Sequence, residues 1–474
     1  MITKGIFQET LAKIVLILSG FILNVGLGRY LGVEEYGVVG IVTGILFVFE
    51  LFLTNGIRQS VSKVLSSQDI NEKSLWWNSL IIQLGFCIGL IIIGLISLDW
   101  IVRLLTIEPY REYLFLIFLI IPVEGIYYIN LGFLNGRLLY KQHAISNSIY
   151  SFTRMLFSLA FLFIFNNGVL AVLLGTLSAY IISIFTTRIK WEEDTFSNKI
   201  SIKALLNITV GVLSFYIFVN IFMNIDILIL RGLGLSKNMI GYYKANASVG
   251  SMLYFLFASV LQVSYPLISK LYAQKSFIEL KSVVNTLFIA ILYSSSLAFL
   301  FFTFFADKIL LVLFGPEFIN FSMVMPLYGL SMGFLSLLIM LGNMMIVFEQ
   351  KKNYLLFLFG SFLIYLLLMF FGTPFFQLYT PPIALIIISI ISITIFILLM
   401  KKNDLNLFET RKIFLIIFWL SSLIFISILL NNQFNGFLVG LIIFFIYSFI
   451  SFISINEIRT AIYNSIKILI RGAK

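Results

Sequence analysis

Apolar runs of about twenty residues recur along the chain, separated by short polar or charged segments. Each run is long enough to cross a hydrocarbon core of roughly 30 Å as a helix. The pattern therefore predicts an all-α integral membrane protein with about 14 transmembrane helices. The predicted spans lie at residues 9–30, 38–57, 77–98, 113–134, 147–166, 168–186, 209–231, 245–267, 284–304, 323–346, 354–372, 380–400, 413–430 and 437–455. The first run is too long for the core of a signal peptide, so we expect it to be a retained span.

Composition supports a bilayer environment, since 60% of the 474 residues are hydrophobic and 11% are charged. Soluble domains are about half apolar and a quarter charged. Cys87 is the only cysteine, which excludes an internal disulfide. His143 is the only histidine, and the short basic segment around it predicts that it lies in a loop. It therefore has no second histidine with which to bind a metal ion. With no Walker-type phosphate loop in the sequence, we expect no cofactor, no metal site and no direct use of ATP.

The net charge of +11 is explained by topology. If the amino terminus is cytoplasmic, most of the 32 Lys and Arg residues fall in segments on the cytoplasmic side of the predicted spans. This is the positive-inside distribution of membrane proteins. It predicts a multi-pass protein of the cytoplasmic (inner) membrane with both termini in the cytoplasm, and it removes the reason to expect a nucleic-acid partner.

An internal repeat divides the chain. The segment GRYLGVEEYGVVG contains Arg29 and Gly37, and LRGLGLSKNMIGYY contains Arg231 and Gly241 at matching places. Six spans per half return the chain to the same side, so the halves are expected to be parallel, pseudo-symmetric six-helix lobes around a central cavity. The expected parts are an N-terminal lobe (1–185), a cytoplasmic linker (186–208), a C-terminal lobe (209–402), and two appended spans with a basic tail (403–474).

Three segments carry a family resemblance: LGRYLGVEEYGVVGIVTGI, FLTNGIRQSVSKVLS, and NIDILILRGLGLSKNMIGYYKANASV with the later VSYPLIS. They resemble the polysaccharide transporters, or lipid-linked oligosaccharide flippases, of the multidrug/oligosaccharidyl-lipid/polysaccharide exporter superfamily. The resemblance implies alternating access and a polyprenyl-diphosphate-linked oligosaccharide as cargo, moved across the membrane for cell-surface polysaccharide synthesis. It also implies membrane lipid as a partner, with H⁺ or Na⁺ and the polysaccharide polymerase machinery as further candidates. Fourteen spans, in place of twelve, resemble the lipid II flippases.

Arg154 is the first candidate for binding the cargo's diphosphate. Asn147, Ser151, Arg154 and Ser158 fall on one face of the fifth span. Ionisable groups cost at least about 2.5 kcal/mol at the bilayer centre, so they are expected to face the protein interior or a wet cavity. A guanidinium matches phosphate oxygens with its planar fork and stays charged. The alternative is a structural ion pair with Glu124 of the fourth span.

Further substrate-binding candidates are polar or cationic residues on other spans: Arg58, Asn24, Asn220, Asn224 and Arg231. The two arginines among them also lie near span ends, where they would reach into the headgroups. The cation-coupling candidates are Glu50, Glu124 and Asp226. Burial favours the neutral form of a carboxyl, which therefore exchanges a proton more readily near neutral pH. Ion pairs with Arg58 or Arg154 are the alternative for the two glutamates, and an internal hydrogen bond is favoured for Asp226.

Two other functions are open to this sequence. A multidrug cation antiporter of the same superfamily would line its cleft with carboxylates and aromatic residues, whereas Arg58 and Arg154 favour an anionic cargo. A membrane glycosyltransferase or polymerase would carry a substantial loop with paired acids or a histidine. The outer connections are short, so we expect that the protein is not an enzyme and has no catalytic residues.

Overall fold

The computed structural model describes residues 2–54, 56–67, 70–188, 198–348, 351–402 and Tyr447. This part of the chain folds into helices joined by short turns and contains no strand. The helices are α1 (Ile2–Thr54), α2 (Gly56–Ser67), α3 (Glu72–Leu105), α4 (Phe115–Gly136), α5 (Tyr140–Phe165), α6 (Gly168–Thr186), α7 (Ile202–Asn224), α8 (Asp226–Gly232), α9 (Lys237–Gly250), α10 (Met252–Ala273), α11 (Phe277–Leu313), α12 (Val324–Val347), α13 (Lys351–Phe376) and α14 (Thr380–Lys402). Short 3₁₀ turns lie at Glu108–Tyr110, Glu112–Leu114, Pro316–Ile319 and Gln377–Tyr379.

Eight helical stretches within the described ranges are long and apolar enough to cross a membrane. Two of them, Leu11–Ser66 with 56 residues and Leu356–Leu399 with 44 residues, exceed the roughly 20 residues of a single crossing. These stretches confirm the all-α membrane fold. Spans 13 and 14 of the prediction lie outside the described residues except for Tyr447. The number fourteen therefore stays a prediction.

The first two predicted spans are joined more tightly than the sequence suggests. The prediction of a loop at residues 31–37 is wrong, because α1 is helical on both sides of one residue, Gly32. Gly32 has φ 73° and ψ −179°, a conformation in which a Cβ atom would be strained. One glycine thus redirects the chain where a loop was expected.

The chain forms two compact units, Met1–Ala245 and Asn246–Lys474. The two six-helix lobes joined by a linker at 186–208 remain a prediction. Residues 202–208 of that linker already belong to α7, which begins at Ile202 after Ser201 caps its amino terminus. The linker's apolar end is therefore part of a helix.

In the first unit, α5 packs along α6 and α1, and α4 packs against α2 and α6. Two glycines allow a close approach of backbones between α1 and α9. A Cβ atom at Gly37 would overlap the carbonyl oxygen of Lys237, and one at Gly241 would overlap that of Val33. The repeat-related pair Gly37 and Gly241 therefore lies at one helix crossing, which holds the amino-terminal half of α9 against α1.

Candidate functional site

The polar face of α5 points into the first unit. Ser158 is buried against Gly175 of α6, and Asn147 accepts a hydrogen bond of 3.3 Å from the Tyr127 hydroxyl of α4. The same face carries Arg154, because residues three, four and seven positions apart share a side of a helix. Arg154 is therefore directed toward α4 and α6.

Arg154 has no direct counter-ion in the described part of the chain. Its side chain is half-buried, and its Nε atom is buried without an acceptor. Arg154 lies near enough to Glu50 for their charges to attract, but they form no ion pair. The alternative of an ion pair with Glu124 is wrong for this conformation, because both carboxyl oxygens of Glu124 are buried without a hydrogen-bond partner among the described residues.

Four tyrosines, from α4, α5 and α6, pack together beside these charged groups. We call Tyr127, Tyr128, Tyr150 and Tyr180 the tyrosine cluster. Ring centroids lie 4.6 Å apart for Tyr150 and Tyr180, and 5.7 Å apart for Tyr127 and Tyr150. The Tyr180 hydroxyl donates a long hydrogen bond of 3.5 Å to Glu50 Oε1. Glu50, Glu124, Arg154 and the tyrosine cluster together form what we call the interior site.

Lys244 is a second interior cation, and it was not among the residues predicted from the sequence. Its Nζ atom donates a hydrogen bond of 3.3 Å to Thr43 Oγ1 and lies 4.9 Å from the centroid of the Tyr36 ring. It is near enough to Arg154 for the two charges to repel. The eighth span was predicted to begin at 245, so a boundary one residue earlier would have included Lys244. The helix α9 begins at Lys237 and carries it inward.

Arg58 borders the interior site, and Asn24 lies near Lys244. The Arg58 guanidinium lies 5.6 Å from the centroid of the Tyr128 ring, a cation–π contact. Asn24 Oδ1 accepts a hydrogen bond of 2.9 Å from the Tyr36 hydroxyl, whose ring lies beneath Lys244. The structure therefore connects Arg58 with the tyrosine cluster and Asn24 with Lys244.

Among the candidates on the seventh span, Arg231 forms hydrogen bonds outside the interior site. Asn220, Asn224 and Arg231 belong to one predicted span (209–231), but α7 ends at Asn224 and α8 begins at Asp226. Arg231 Nε donates a hydrogen bond of 2.8 Å to the Leu105 carbonyl, and its Nη1 donates one of 2.5 Å to Leu235. Arg231 thus binds the carboxyl end of α3, where the helix dipole favours a cation, and the turn between α8 and α9.

Asp226 is also engaged locally. It is buried, accepts a hydrogen bond from the Tyr243 hydroxyl of α9, and accepts another of 2.8 Å from the backbone N–H of Ile227. This is the internal hydrogen bonding named above as the alternative to cation coupling. Because its carboxylate already has two donors, Asp226 differs from Glu124, which has none among the described residues.

The prediction that His143 lies in a loop is wrong. His143 belongs to the first turn of α5, is buried, and contacts Glu9 through Nδ1 at 2.8 Å. The basic residues before it suggested a connection, but the turn between α4 and α5 is shorter than the sequence implied. Within the described ranges, no three His, Cys, Asp or Glu residues gather in a way that could hold a metal ion.

Comparison with known proteins supports the relationship that the motifs suggest. Residues 2–272, more than half of the chain, match the model of the polysaccharide biosynthesis protein family. No curated protein sequence matches the chain significantly.

Solved structures with the same fold are transporters. The lipid II flippase MurJ, in an inward closed conformation, superposes with a TM-score of 0.73 at 17% identity, over 94% of this chain and 98% of that chain. An inward-facing multidrug resistance MATE family transporter of the MOP superfamily gives 0.69 at 13% identity, over 84% of this chain and 99% of that chain. A MOP superfamily transporter from Pyrococcus furiosus gives 0.63 at 13% identity, over 85% of this chain and 96% of that chain.

Identities this low establish a shared fold and leave the cargo open. The family match over residues 2–272, together with the membrane-spanning helices and the superposition on MurJ, shows that this multi-pass membrane protein belongs to the polysaccharide biosynthesis protein family and has the fold of the MOP-superfamily transporters.

Proposed function

We propose that this protein is a flippase that moves a polyprenyl-diphosphate-linked oligosaccharide across the cytoplasmic membrane by alternating access. The observation that carries the proposal is the pair of interior cations, Arg154 and Lys244, neither of which forms an ion pair within the described residues. A charge taken out of water costs several kcal/mol unless it is compensated. An anionic cargo would supply that compensation.

A diphosphate fits this pair chemically. It carries negative charge on several oxygens, so it can accept two parallel hydrogen bonds from a guanidinium and a further bond from an ammonium group. Arg154 would orient the phosphates, while Lys244 would add a point charge next to Thr43. Mutual repulsion of the two cations would fall on binding, which favours the loaded site over the empty one.

We further propose that Glu50 and Glu124 take up the coupling ion. Glu124 has no donor for its oxygens among the described residues, and an ionised carboxylate in such a place is costly. Of the two candidates, H⁺ or Na⁺, this favours H⁺, because a proton needs no shell of oxygen ligands. Proton uptake by Glu50 would also weaken its attraction for Arg154 and leave that side chain available for phosphate.

A multidrug cation antiporter remains the second candidate, favoured by the carboxyls and the tyrosine cluster of the interior site. Deletion of the chromosomal gene separates the two. The flippase proposal expects lipid-linked glycan to accumulate on the cytoplasmic face, with rescue by the intact gene and no rescue by Arg154→Ala or Lys244→Ala. Unchanged glycan together with altered drug sensitivity would support the antiporter instead.

A further inference from the structure

A buried histidine lies where α5 begins, and the proposed function leaves it without a role. His143 Nδ1 is 2.8 Å from Glu9 Oε1 of α1 and 3.2 Å from Asn147 Nδ2, one turn further along α5. The His143 and Glu9 side chains are 11% and 22% exposed. Burying a titratable pair costs more free energy than burying an apolar contact of the same size. Such a pair therefore points to a functional role.

Hydrogen bonds and ring contacts continue from this pair into the interior site. The Tyr127 hydroxyl donates to Asn147 Oδ1 at 3.3 Å, and the Tyr127 ring lies 5.6 Å from the Tyr180 ring. The Tyr180 hydroxyl donates to Glu50 Oε1 at 3.5 Å. A sequence of polar groups therefore leads from Glu9, near the start of α1, to Glu50.

His143 Nδ1 cannot satisfy both of its neighbours in one protonation state. With a proton it donates to Glu9, and without one it accepts from the Asn147 amide group. In the first state Asn147 is free to turn its oxygen toward the imidazole and its NH₂ group toward Tyr127. The Tyr127 hydroxyl then directs its own proton away from Asn147, toward the rest of the tyrosine cluster. Whether His143 Nδ1 carries a hydrogen thus sets the direction of the hydrogen bonds that follow, and a ring that is protonated on both nitrogens is always in the donating state.

Resting on the proposed proton coupling, we propose that His143 and Glu9 form the port through which protons reach and leave the carboxyls of the interior site. Inward transfer begins when a proton from bulk water binds the imidazole. Water hydrogen-bonded between the imidazole and the tyrosine hydroxyls carries the proton past the Asn147 amide. Each tyrosine accepts one proton and gives up another, and a carboxylate becomes a carboxylic acid. The net change is one proton taken from water and one O–H bond formed at Glu50 or Glu124.

The charges around His143 explain why Glu9 is part of the port. Lys13 of α1 lies near both Glu9 and Arg58, and Arg58 of α2 lies near Tyr127 of α4. These two cations oppose a positive imidazole, whereas Glu9 stabilises it through the contact at 2.8 Å. Removing Glu9 should therefore hinder proton uptake as much as removing His143.

Proton uptake on cargo binding tests the port, because an anion bound beside Glu50 and Glu124 favours their protonated forms. The intact protein is placed in lipid nanodiscs with a pH-sensitive dye in weakly buffered solution, and a water-soluble short-chain polyprenyl diphosphate is added by stopped flow. We expect His143→Gln and Glu9→Gln to slow the uptake about tenfold or more, with the affinity for the diphosphate unchanged. Ser146→Ala is the matched control, because Ser146 is buried one turn from the port but contacts Thr186 instead.

A second variant guards against a folding defect. His143→Ala should take up protons slowly, and added imidazole, with the dye calibrated in its presence, should restore much of the rate only if the protein is folded around the missing ring. Uptake at the normal rate in His143→Gln and His143→Ala would overturn the port. Diphosphate binding without any proton uptake by the intact protein would overturn the proton coupling on which the port rests. Failure of the intact protein to bind the diphosphate would instead overturn the proposed function on which the port rests.

Discussion

An arginine inside a membrane protein is informative when its surroundings do not neutralise it. Arg154 could have been explained by a carboxylate within ion-pairing distance, and Glu124 was the obvious one. In this conformation neither carboxyl oxygen of Glu124 has a hydrogen-bond partner within the described residues, and Glu50 accepts a hydrogen bond from the Tyr180 hydroxyl. The positive charge is thus held near carboxyls without being paired to them. Such an arrangement suits a site that exchanges an internal carboxylate for an external phosphate.

Arg154→Ala should abolish transport, and Arg154→Lys should restore little of it, because an ammonium cannot make the two parallel hydrogen bonds of a guanidinium. The measurement is accumulation of lipid-linked glycan in cells that carry each variant, with the amount of protein in the membrane compared in parallel. Arg111→Ala is the control, since Arg111 is an exposed arginine that pairs with Asp99. Full activity of Arg154→Ala would eliminate Arg154 as a phosphate ligand.

Two buried carboxyls should respond in opposite ways to apolar replacement. Glu124→Met should leave the thermal unfolding midpoint of the purified protein unchanged or raised, because it removes oxygens that lack donors. Asp226→Leu should lower the midpoint, at a cost of about 1–3 kcal/mol, because it removes a buried acceptor of hydrogen bonds from the Tyr243 hydroxyl and the Ile227 N–H. A large loss of stability in Glu124→Met would mean that its carboxyl has a partner in the folded protein.

At the scale of elements, the sequence predicted most helices and missed how some begin and end. Hydrophobic runs locate helices well because only a helix satisfies its backbone hydrogen bonds in lipid. They do not locate a turn made by one residue, such as Gly32, or a one-residue interruption before Asp226. Lys244 and His143 were misplaced for a related reason. A polar residue at the end of an apolar run looks like a loop residue until its helix is seen to continue past it.

The close approach of the α1 and α9 backbones at Gly37 can be tested by substitution. Gly37→Ala should lower the thermal unfolding midpoint, because its Cβ would overlap the backbone of Lys237 and overpacking costs typically 1–3 kcal/mol. Gly20→Ala, in the same helix, is the control, since a Cβ there meets open space and alanine favours a helix by about 1 kcal/mol. Equal midpoints for the two variants would show that the backbones do not approach closely at Gly37.

At the scale of the whole molecule, fold and cargo rest on different kinds of information. Apolar runs, the internal repeat that matches Arg29 with Arg231, and the superposition on MurJ over 94% of the chain all report the arrangement of helices. Cargo depends on a few side chains, and helices of the same arrangement carry different ones in flippases and drug transporters. This is why the fold was predictable from the sequence, whereas Lys244 had to be found in the structure.

Orientation in the membrane decides which way the proposed proton port faces, and a labelling experiment measures it. Cys87 is the only cysteine and is buried, so Cys87→Ser gives a background without reactive thiols. In that background, a membrane-impermeant maleimide should label Glu108→Cys on intact cells, and should label Lys199→Cys only after the membrane is permeabilised. Both positions are exposed, which makes them comparable reporters.

The expected result follows from the excess of Lys and Arg on the side of the amino terminus, and it would place His143 and Glu9 at the cytoplasmic end. The reverse pattern would put the port outside, so that protons driven inward by the membrane potential would enter through His143 instead of leaving there.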